Sequence, residues 1–397
     1  MSDRADVMPP STSEGKAPEM QTTTLPAGVS RNASPFLHGG EAAAIAEVLP
    51  TGQYGHGPVT DRFEQALAHY LGVDDVVAVS SGTTALVIGL QAAGIGPGDQ
   101  VIVPSLTFCA SVQAIVAVGA APRFIDVDPA TLRVTSNGVL DVLTPNTRAV
   151  MPVLYGGRAV GLDSIRDVLD ARGILLIEDA AHAFGFRAGT GMVGSTRALT
   201  CFSFDPIKNL TTGQGGAIVP RSPEEARRAR SMRLFGVAQS REEHASITSY
   251  AVEGPGLRCE LSQIKAVFGL VQLEHFSTVA AKRTHLWRTY RDALSELDAA
   301  ALIDVDVDRS VPFNCVVRVS AAQRDTVLEV MRGPGSGVGV HYPPNRSQPA
   351  FATWHHPVPV TDEIGQQMLS LPFHPAMSDD AVHYAVAALS QALRSTS

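Results

Sequence analysis

The sequence predicts an α/β fold in which a mostly parallel, doubly wound sheet forms a large domain and a smaller C-terminal α+β domain follows it. Between about residues 76 and 204, short apolar runs of strand length alternate with stretches of helical spacing. This alternation is typical of parallel sheets covered by helices on both faces. The chain has 397 residues, which is too long for one small core, so we expect two domains.

The N-terminal region precedes this alternation. Residues 1–33 are rich in Ser, Thr and Pro and poor in large apolar side chains, so we predict a disordered extension there. A short helix is predicted at 40–49, and a longer one at 60–71, where apolar residues recur at helical spacing. The stretch between these helices is rich in turn-forming residues and contains Tyr54.

The alternating region supplies the elements of the large domain in a regular order. Its sequence pattern predicts strands at 76–79, 100–103, 122–127, 149–154, 174–178 and 201–204. It predicts intervening helices at 83–93, 110–118 and 162–171. Ligands of such sheets bind beyond the carboxyl ends of the strands, where loops lead into helices.

The C-terminal third has a different pattern. A strong helix is predicted at 262–274, and it continues after a break towards residue 290. The pattern then predicts strands at 311–319 and 337–341 and helices at 322–331 and 379–393. We therefore place the large domain, with an N-terminal arm, at 34–260, and a linking helix with the small domain at 261–397.

Composition and charge exclude several classes of protein. The chain carries 31 basic and 39 acidic residues, a formal charge of −8, which argues against a nucleic-acid-binding protein. Its most apolar stretch, 101–122, is interrupted by polar residues and is no membrane span. We expect a cytoplasmic protein, because no signal peptide is visible. The widely spaced cysteines indicate reduced core thiols: Cys109, Cys201, Cys259 and Cys315.

The segment from residue 203 to residue 217 is the most informative part of the chain. It follows a predicted strand and places one lysine, Lys208, among small, hydroxylated and glycine residues. A partly desolvated lysine has a lowered pKa, and its neutral amine attacks carbonyls to form a Schiff base. The glycines allow the close approach of a bulky group. These properties fit a lysine that binds pyridoxal phosphate (PLP).

PLP makes three demands on a protein: a lysine for its aldehyde, an acid for its ring nitrogen and donors for its phosphate. The donors are predicted at residues 80–84, between a strand and a helix. Small residues at a helix N-terminus leave backbone N–H groups free for an anion. The alternative interpretation of this stretch is an ordinary helix N-cap.

Three further side chains are candidates for the same site. Asp179 follows a predicted buried strand, where an unpaired carboxylate is costly. Opposite a pyridinium nitrogen it would form an ion pair, and the alternative is a helix-capping aspartate. His182 either reaches the cofactor oxygen or is a core histidine. Phe108 either stacks on the pyridine ring or belongs to the core. The order of phosphate loop, aromatic residue, acid and lysine matches a fold-type-I PLP enzyme.

Seven motifs together resemble the PLP-dependent sugar aminotransferases of the DegT/DnrJ/StrS type, from about residue 35 to the C-terminus. They are Gly57-Pro58 with Phe63-Glu64, Ser81-Gly-Thr-Thr-Ala-Leu86, Pro104-x-x-Thr-Phe108, Glu178-Asp-Ala-Ala-His182, Ser203-Phe with Lys208-Asn-Leu-Thr-Thr-Gly-x-Gly-Gly216, Gly339-Val-His-Tyr-Pro-Pro344, and Leu371-Pro-Phe-His-Pro-Ala-Met377. The resemblance implies the fold-type-I aminotransferase fold. It also implies PLP as the cofactor, with no metal.

The resemblance implies a role for individual positions. Lys208 would hold the cofactor as a Schiff base and later move the proton between the cofactor and substrate carbons. Asp179 would pair with the pyridine nitrogen, and Phe108 would stack on the ring. The other implied contacts are Gly82, Thr83 and Ser203 to phosphate, His182 to the cofactor, and Tyr54, His341, Tyr342 and Arg346 to substrate. The family further implies a homodimer with shared active sites.

Several positions depart from the family pattern. A Gly-x-Asn-x-Arg segment reads Gly256-Leu-Arg-Cys-Glu260 here. Arg258 would replace an asparagine that contacts the partner's cofactor phosphate, with a stronger charge-assisted contact, and Glu260 reverses a charge. Leu154 stands where the family has a histidine, and Gln53 stands where it has a tryptophan near the entrance. The basic, histidine-bearing stretch of the family is replaced by Pro344-Asn-Arg-Ser-Gln348. We predict that these changes cluster where the amino acceptor lies.

The leading hypothesis is therefore an aminotransferase. It would move an amino group from glutamate or glutamine to a nucleotide-linked keto-sugar or to a cyclitol ketone. Such a reaction would serve secondary-metabolite or glycan biosynthesis. An alternative keeps PLP but catalyses elimination, decarboxylation or carbon–carbon bond chemistry, since one fold hosts many reactions. A third hypothesis is an inactive, PLP-binding regulatory protein. The presence of Lys208 argues against the family's lysine-less sugar dehydratases.

Overall fold

The strands in the described part of the chain form one large sheet and two small ones. The computed structural model describes residues 25–189, 191–237 and 249–396. The strands in these residues are β1 (Val77–Val79), β2 (Gln100–Pro104), β3 (Ala121–Ile125), β4 (Thr147–Val150), β5 (Leu175–Asp179), β6 (Arg187–Ala188), β7 (Gly191–Met192), β8 (Leu199–Ser203), β9 (Gly216–Val219), β10 (Ala301–Leu302), β11 (Cys315–Arg318) and β12 (Met368–Leu371).

The large sheet confirms the predicted α/β class. Its seven strands have the order β1-β9-β8-β5-β4-β2-β3. Only β9 runs against the others, because it pairs antiparallel with β1 on one side and β8 on the other. The remaining ladders are parallel. The central strands are buried along nearly their whole length, as expected for a sheet covered on both faces.

The helices lie mostly where the sequence pattern predicts them. They are α1 (Glu41–Val48), α2 (Pro58–Leu71), α3 (Gly82–Ala92), α4 (Cys109–Ala117), α5 (Ser136–Asp141), α6 (Arg166–Ala171), α7 (Pro223–Met232), α8 (Gln263–Glu274), α9 (Phe276–Leu294), α10 (Ala321–Arg332), α11 (Pro359–Gln367) and α12 (Asp379–Ser395). A capping box begins α3: the Ser81 hydroxyl accepts from the Thr84 amide, and the Thr84 hydroxyl accepts from the Ser81 amide. This cap fixes the helix N-terminus just beyond β1.

A second hydrophobic core lies in the C-terminal region, around the antiparallel sheet β10-β11-β12. Helix α9 connects the two cores. Its first residue, Phe276, packs in the core beside the large sheet, whereas Trp287 and Tyr290 pack in the second core. This arrangement supports our proposal of a linking helix and a smaller domain within residues 261–397. No helix in the described part of the chain is both long and apolar enough to cross a bilayer.

The predicted disordered extension, residues 1–33, differs from the structure at its C-terminal end. Residues 1–24 lie outside the described residues. Residues 25–33 are ordered, because Val29 is buried in the second core and its carbonyl accepts from the Gly337 amide. The Asn32 side-chain amide donates to the carbonyls of Ser370 and Leu371. The prediction of disorder is therefore wrong for residues 25–33. It rested on the low apolar content of the stretch, which gives no sign of these backbone contacts.

Two other predictions are wrong in detail, and one strand was not predicted. The predicted strand at 337–341 is reduced to one isolated bridge between Gly339 and Ser370, and the neighbouring ladder is instead formed by β12. Strand β9 was not predicted, since its residues were interpreted as the end of the lysine segment. Cys109 is exposed at the first turn of α4 and is not a core thiol, whereas the other three cysteines are buried.

Candidate active site

A cavity of about 500 Å³ opens at the carboxyl ends of the parallel strands. This is the location at which open α/β sheets bind ligands. The N-terminus of α3, the loop after β2, the turns after β5 and β8, and a segment preceding Pro343 all contribute to its wall. We call this space the cofactor cavity. Its walls include Gly82, Thr83, Phe108, Asp179, His182, Ser203, Lys208, His341 and Tyr342.

Asp179 is the last residue of β5, and only 5% of it is exposed. Its Oδ2 accepts a 2.6 Å hydrogen bond from the Ser111 hydroxyl, and its Oδ1 accepts from the Ala181 amide. Burial raises the pKa of this carboxyl, and the nearby Lys208 opposes that effect. Asp179 forms no ion pair among the described residues. A cationic ring nitrogen would supply the missing partner.

Lys208 lies in the turn after β8, where its amide donates to the Asp205 carbonyl. Its ammonium lies 4.4 Å from the centroid of the Phe313 ring. Burial lowers the pKa of Lys208 to about 8, while Asp179 and Asp205 act in the opposite direction. At pH 7 the ammonium form still predominates, but the neutral, nucleophilic amine is far more abundant than for an ordinary lysine.

The close approach of α3 to β8 forms a cradle for an anion. Gly82 is the first residue of α3, and a Cβ at this position would lie only 2.6 Å from the Ser203 Cβ. The N-terminal amides of α3 and the hydroxyls of Thr83 and Ser203 thus meet at one corner of the cavity. Such a corner suits a phosphate group, because helix N-termini attract negative charge.

An aromatic wall stands beside the lysine. The His182 ring stacks on Phe313 with centroids 3.9 Å apart, and His182 Nε2 lies 3.1 Å from the Tyr342 hydroxyl. Burial lowers the pKa of His182 far below its usual value, and the charge of Lys208 adds to this, so the ring is neutral near pH 7. Phe108 is 54% exposed, with its ring centroid 5.4 Å from that of Tyr342. The alternative that Phe108 belongs to the core is therefore wrong.

Arg283 is a charged residue of this region that the sequence analysis missed. It is 1% exposed, and its guanidinium donates to the carbonyls of Phe313 and Ile207, the latter being next to Lys208 in sequence. Burial lowers the pKa of Arg283 to about 9, and its charge contributes to the low pKa of Lys208. Ser111 and Phe313 were also missed, and no motif in the sequence marks any of the three.

Three predicted site residues do not line the cofactor cavity within one chain. The Tyr54 hydroxyl donates to the Leu49 carbonyl, and its side chain is exposed. Arg258 is exposed, in a backbone bridge with Leu234. Arg346 forms an ion pair with Asp362. Their predicted roles in cofactor and substrate binding therefore stay proposals.

The departures from the family pattern do not form one cluster in this chain. Leu154 is fully buried among apolar side chains, and its amide donates to the Asp179 carbonyl. Glu260 forms a backbone bridge with Val79, and burial raises the pKa of its carboxyl. The prediction that Leu154 faces the amino acceptor is wrong, because a leucine here fills the core beneath the site.

The cofactor cavity fits PLP on three observations. A buried carboxylate lacks a cationic partner, a lysine amine of low pKa lies in the same cavity, and the cradle at Gly82 leaves room that a side chain would fill. PLP, when bound, supplies an aldehyde that takes up an amino group and a protonated ring that withdraws electrons.

Comparisons with known proteins agree with this geometry. A model of the DegT/DnrJ/EryC1/StrS aminotransferase family matches residues 37–390. The aminotransferase TlmJ from Streptoalloteichus hindustanus has 32% identity and a TM-score of 0.85, over 92% of this chain and 99% of its own. DesV from S. venezuelae has 32% identity and a TM-score of 0.83, over 90% of this chain and 98% of its own. A 3-amino-5-hydroxybenzoic acid synthase has 26% identity and a TM-score of 0.84, over 91% and 98%. The chain therefore belongs to the DegT/DnrJ/EryC1/StrS aminotransferase family and is a PLP-dependent aminotransferase.

Proposed function

We propose that this aminotransferase moves the amino group of glutamate or glutamine to a nucleotide-linked keto-sugar or to a cyclitol ketone. The reaction would belong to secondary-metabolite or glycan biosynthesis. The observation that carries the proposal is the pairing of a low-pKa lysine, Lys208, with the buried Asp179 in one cavity of a sugar aminotransferase family member. The donor leaves as its 2-oxo acid, and the acceptor carbonyl becomes an amine.

In this proposal the residues of the cavity divide the work. The Lys208 amine would bind the cofactor aldehyde and later carry a proton between the reacting carbons. The Asp179 carboxylate would hold the proton on the ring nitrogen, and the Ser111 hydroxyl orients that carboxylate. The phosphate would be held by Gly82, Thr83 and Ser203. The ring would lie between the side chains of Phe108 and His182.

The proposed acceptor is a polyhydroxylated ring, for which the cavity offers unused polar atoms. His341 Nδ1 and His182 Nδ1 are buried and have no hydrogen-bond partner in the described residues. Burial and the Lys208 charge lower the pKa of His341, so its neutral ring can accept a hydrogen bond from a substrate hydroxyl. The likeness to 3-amino-5-hydroxybenzoic acid synthase supports a carbocyclic ketone as the second class of acceptor.

We also propose that the active site is completed by a second copy of the chain. Phe108, Thr83 and Arg258 are all exposed in one protomer. Exposed aromatic and cationic side chains beside an open cavity are suited to contact a partner. In a homodimer, Arg258 and Tyr54 would reach the partner's cofactor cavity.

The proposed function is tested in two half-reactions. The PLP-loaded protein is mixed with L-glutamate or L-glutamine, and the loss of the lysine-bound cofactor absorbance is followed while the 2-oxo acid is quantified. The aminated protein is then mixed with a nucleotide-diphosphate-linked keto-sugar or a keto-cyclitol, and the amine is sought by mass spectrometry. We expect one amine per active site. Donor conversion without amination of either probe would refute the proposed acceptors.

Replacing Arg283 with methionine is expected to raise the pKa of Lys208 above its value of about 8, because a buried positive charge near the amine is removed. PLP capture requires the neutral amine, so the rate of capture by the apoprotein should increase with pH, with its midpoint near pH 8 in the unmodified protein and a plateau at higher pH. The midpoint should move to higher pH in the variant. Stopped-flow absorbance at a series of pH values measures this profile.

Arg288 supplies the matched control for this experiment. It lies about one and a half turns further along α9, and it pairs with Asp308 at 2.8 Å on the exposed surface. Arg288→Met should leave the capture profile unchanged, since exposed ion pairs contribute little. Circular dichroism establishes that both variants are folded. An unchanged or lowered midpoint in folded Arg283→Met would contradict the assigned electrostatic role.

A further inference from the structure

A second cavity, of about 610 Å³, lies on the other side of β5 from the cofactor cavity. Side chains alternate between the faces of a strand. Asp179 therefore lines the cofactor cavity, whereas Glu178 and Leu176 line the second one. The loops 130–133, 158–166 and 304–309 contribute to its wall. We call it the arginine cavity, after Arg133 and Arg158.

Arg158 is a buried cation that forms no direct ion pair with the described residues. It is 3% exposed, its Nη2 donates to the Thr131 carbonyl, and its Nε is buried with no hydrogen-bond partner in the described residues. Burial lowers the pKa of Arg158 to about 10, and the like charge of Arg133 adds to this, while the charges of Asp304 and Asp306 act in the opposite direction. A buried cation in this state is unfavourable unless another group compensates it.

Arg133 repeats the pattern in the same wall. Its Nη1 donates to the Ala159 carbonyl, and its Nε is also buried and unpartnered among the residues described. Each guanidinium is thus held in place by a backbone carbonyl while other N–H groups remain unused. The two carbonyls fix two planar donor groups without neutralising either charge.

The charges of Asp304 and Asp306 raise the pKa of both arginines, but neither acid forms an ion pair with them in the described residues, because each has another direct partner. Asp306 pairs with Arg309, and Asp304 accepts from the Asp306 amide. Glu178 accepts from the hydroxyls of Thr196 and Thr200, and burial raises the pKa of its carboxyl, which favours the neutral form. The remaining charged residues of the wall are one acid and one base, Asp163 and Arg166.

We propose that the arginine cavity binds a small metabolite through an oxoanion group, a carboxylate or a phosphate, held between the guanidiniums of Arg158 and Arg133. Guanidinium groups match the two oxygens of such an anion with paired hydrogen bonds. The volume of the cavity lies in the range of small-molecule sites. The site is separate from the reacting groups, so the proposal does not depend on which acceptor the enzyme uses.

The test is an isothermal titration of the PLP-saturated protein with inorganic phosphate and, in a second series, with citrate. Saturation with PLP occupies the phosphate cradle at Gly82, so any further saturable binding arises elsewhere. We expect saturable binding of at least one of the two anions. Arg158→Gln should weaken it tenfold or more, and Arg158→Lys, which keeps the charge but loses the planar fork, should weaken it less.

Arg227→Gln is the matched control, because Arg227 lies outside the arginine cavity and pairs with Glu224 on the exposed surface. It should change the affinity by less than twofold. The absorbance of bound PLP and circular dichroism establish that each variant is folded and loaded. If neither anion binds saturably, or if folded Arg158→Gln binds as tightly as the unmodified protein, the proposal is wrong. Binding of phosphate but not citrate, or the reverse, identifies which oxoanion the cavity takes.

Discussion

Replacing Lys208 with methionine is expected to abolish amino transfer, with kcat falling by roughly four powers of ten or more, as for other covalent nucleophiles. The variant has no amine to bind the cofactor aldehyde or to carry the proton between the reacting carbons. Asp179 and the phosphate cradle at Gly82 remain, so PLP should still bind. Dialysis should remove it, however, and its absorbance should match the free aldehyde. Steady-state kinetics and the absorption spectrum together measure both effects.

Loss of activity in this variant should not result from unfolding. Burial lowers the pKa of Lys208 to about 8 from an ordinary value near 10.5, so below pH 8 the folded apoprotein carries a charge that folding disfavours. Methionine removes this charge. The apoprotein variant should therefore unfold at the same or a higher temperature at pH 7, and this gain should fade as the pH rises above about 8.

Lys282 provides the matched control. It is an exposed lysine on α9 whose ammonium lies 5.3 Å from the centroid of the Phe36 ring. Lys282→Met should retain full activity and the spectrum of the lysine-bound cofactor. A Lys208→Met variant that still transfers amino groups faster than about a hundredth of the normal rate would overturn the assigned role.

The sequence predicted best what depends on short stretches of chain. Lys208, Asp179 and Gly82 each occur in a local motif at the end of a predicted strand, and parallel strands bring such ends to one edge of a sheet. The structure places these residues in the wall of one cavity. The α/β class follows from the same periodic patterns, and the large sheet confirms it, although β9, α5, α7 and α11 were not predicted.

The groups that tune the site could not be predicted in this way. Ser111, Arg283 and Phe313 come from three distant segments, and each acts through a contact that only the folded chain creates. A serine on an apolar helix, or an arginine on a long one, is an ordinary residue in sequence. Tertiary packing gives these side chains their partners, so no local pattern identifies them.

The wrong prediction for Leu154, a position that departs from the family pattern, has a related cause. Leu154 was predicted to face the acceptor because the family has a polar residue there, yet a leucine at this position is fully buried. A polar side chain is costly to bury without a hydrogen-bond partner, whereas a leucine at the same position is favourably buried in the core. Similarly, Arg133 and Arg158 are isolated in sequence, and only the loops around the arginine cavity place their guanidiniums in one wall.

Replacing Asp179 with asparagine is expected to lower kcat by roughly 10²- to 10³-fold, the usual cost of losing one electrostatic group that acts in the transition state. Asparagine has the same shape and can keep the contact with the Ser111 hydroxyl. It carries no charge, however, so it cannot hold the proton on the ring nitrogen. The KM for the amino donor should change much less than kcat, because the partner proposed for Asp179 is the ring nitrogen of the cofactor and not the donor. Steady-state kinetics with varied donor separates the two parameters.

The same variant makes a second, independent prediction, because the Asp179 charge raises the pKa of Lys208. Its removal should shift the midpoint of PLP capture to lower pH, opposite to the shift expected for Arg283→Met. Glu178→Gln is the matched control, since this neighbouring buried carboxyl lies on the other face of β5 and binds Thr196 and Thr200. It should leave both kcat and the midpoint nearly unchanged. If Asp179→Asn keeps its kcat, or if both carboxyl variants lose activity equally, then Asp179 is a structural residue and the ring nitrogen is held by another group.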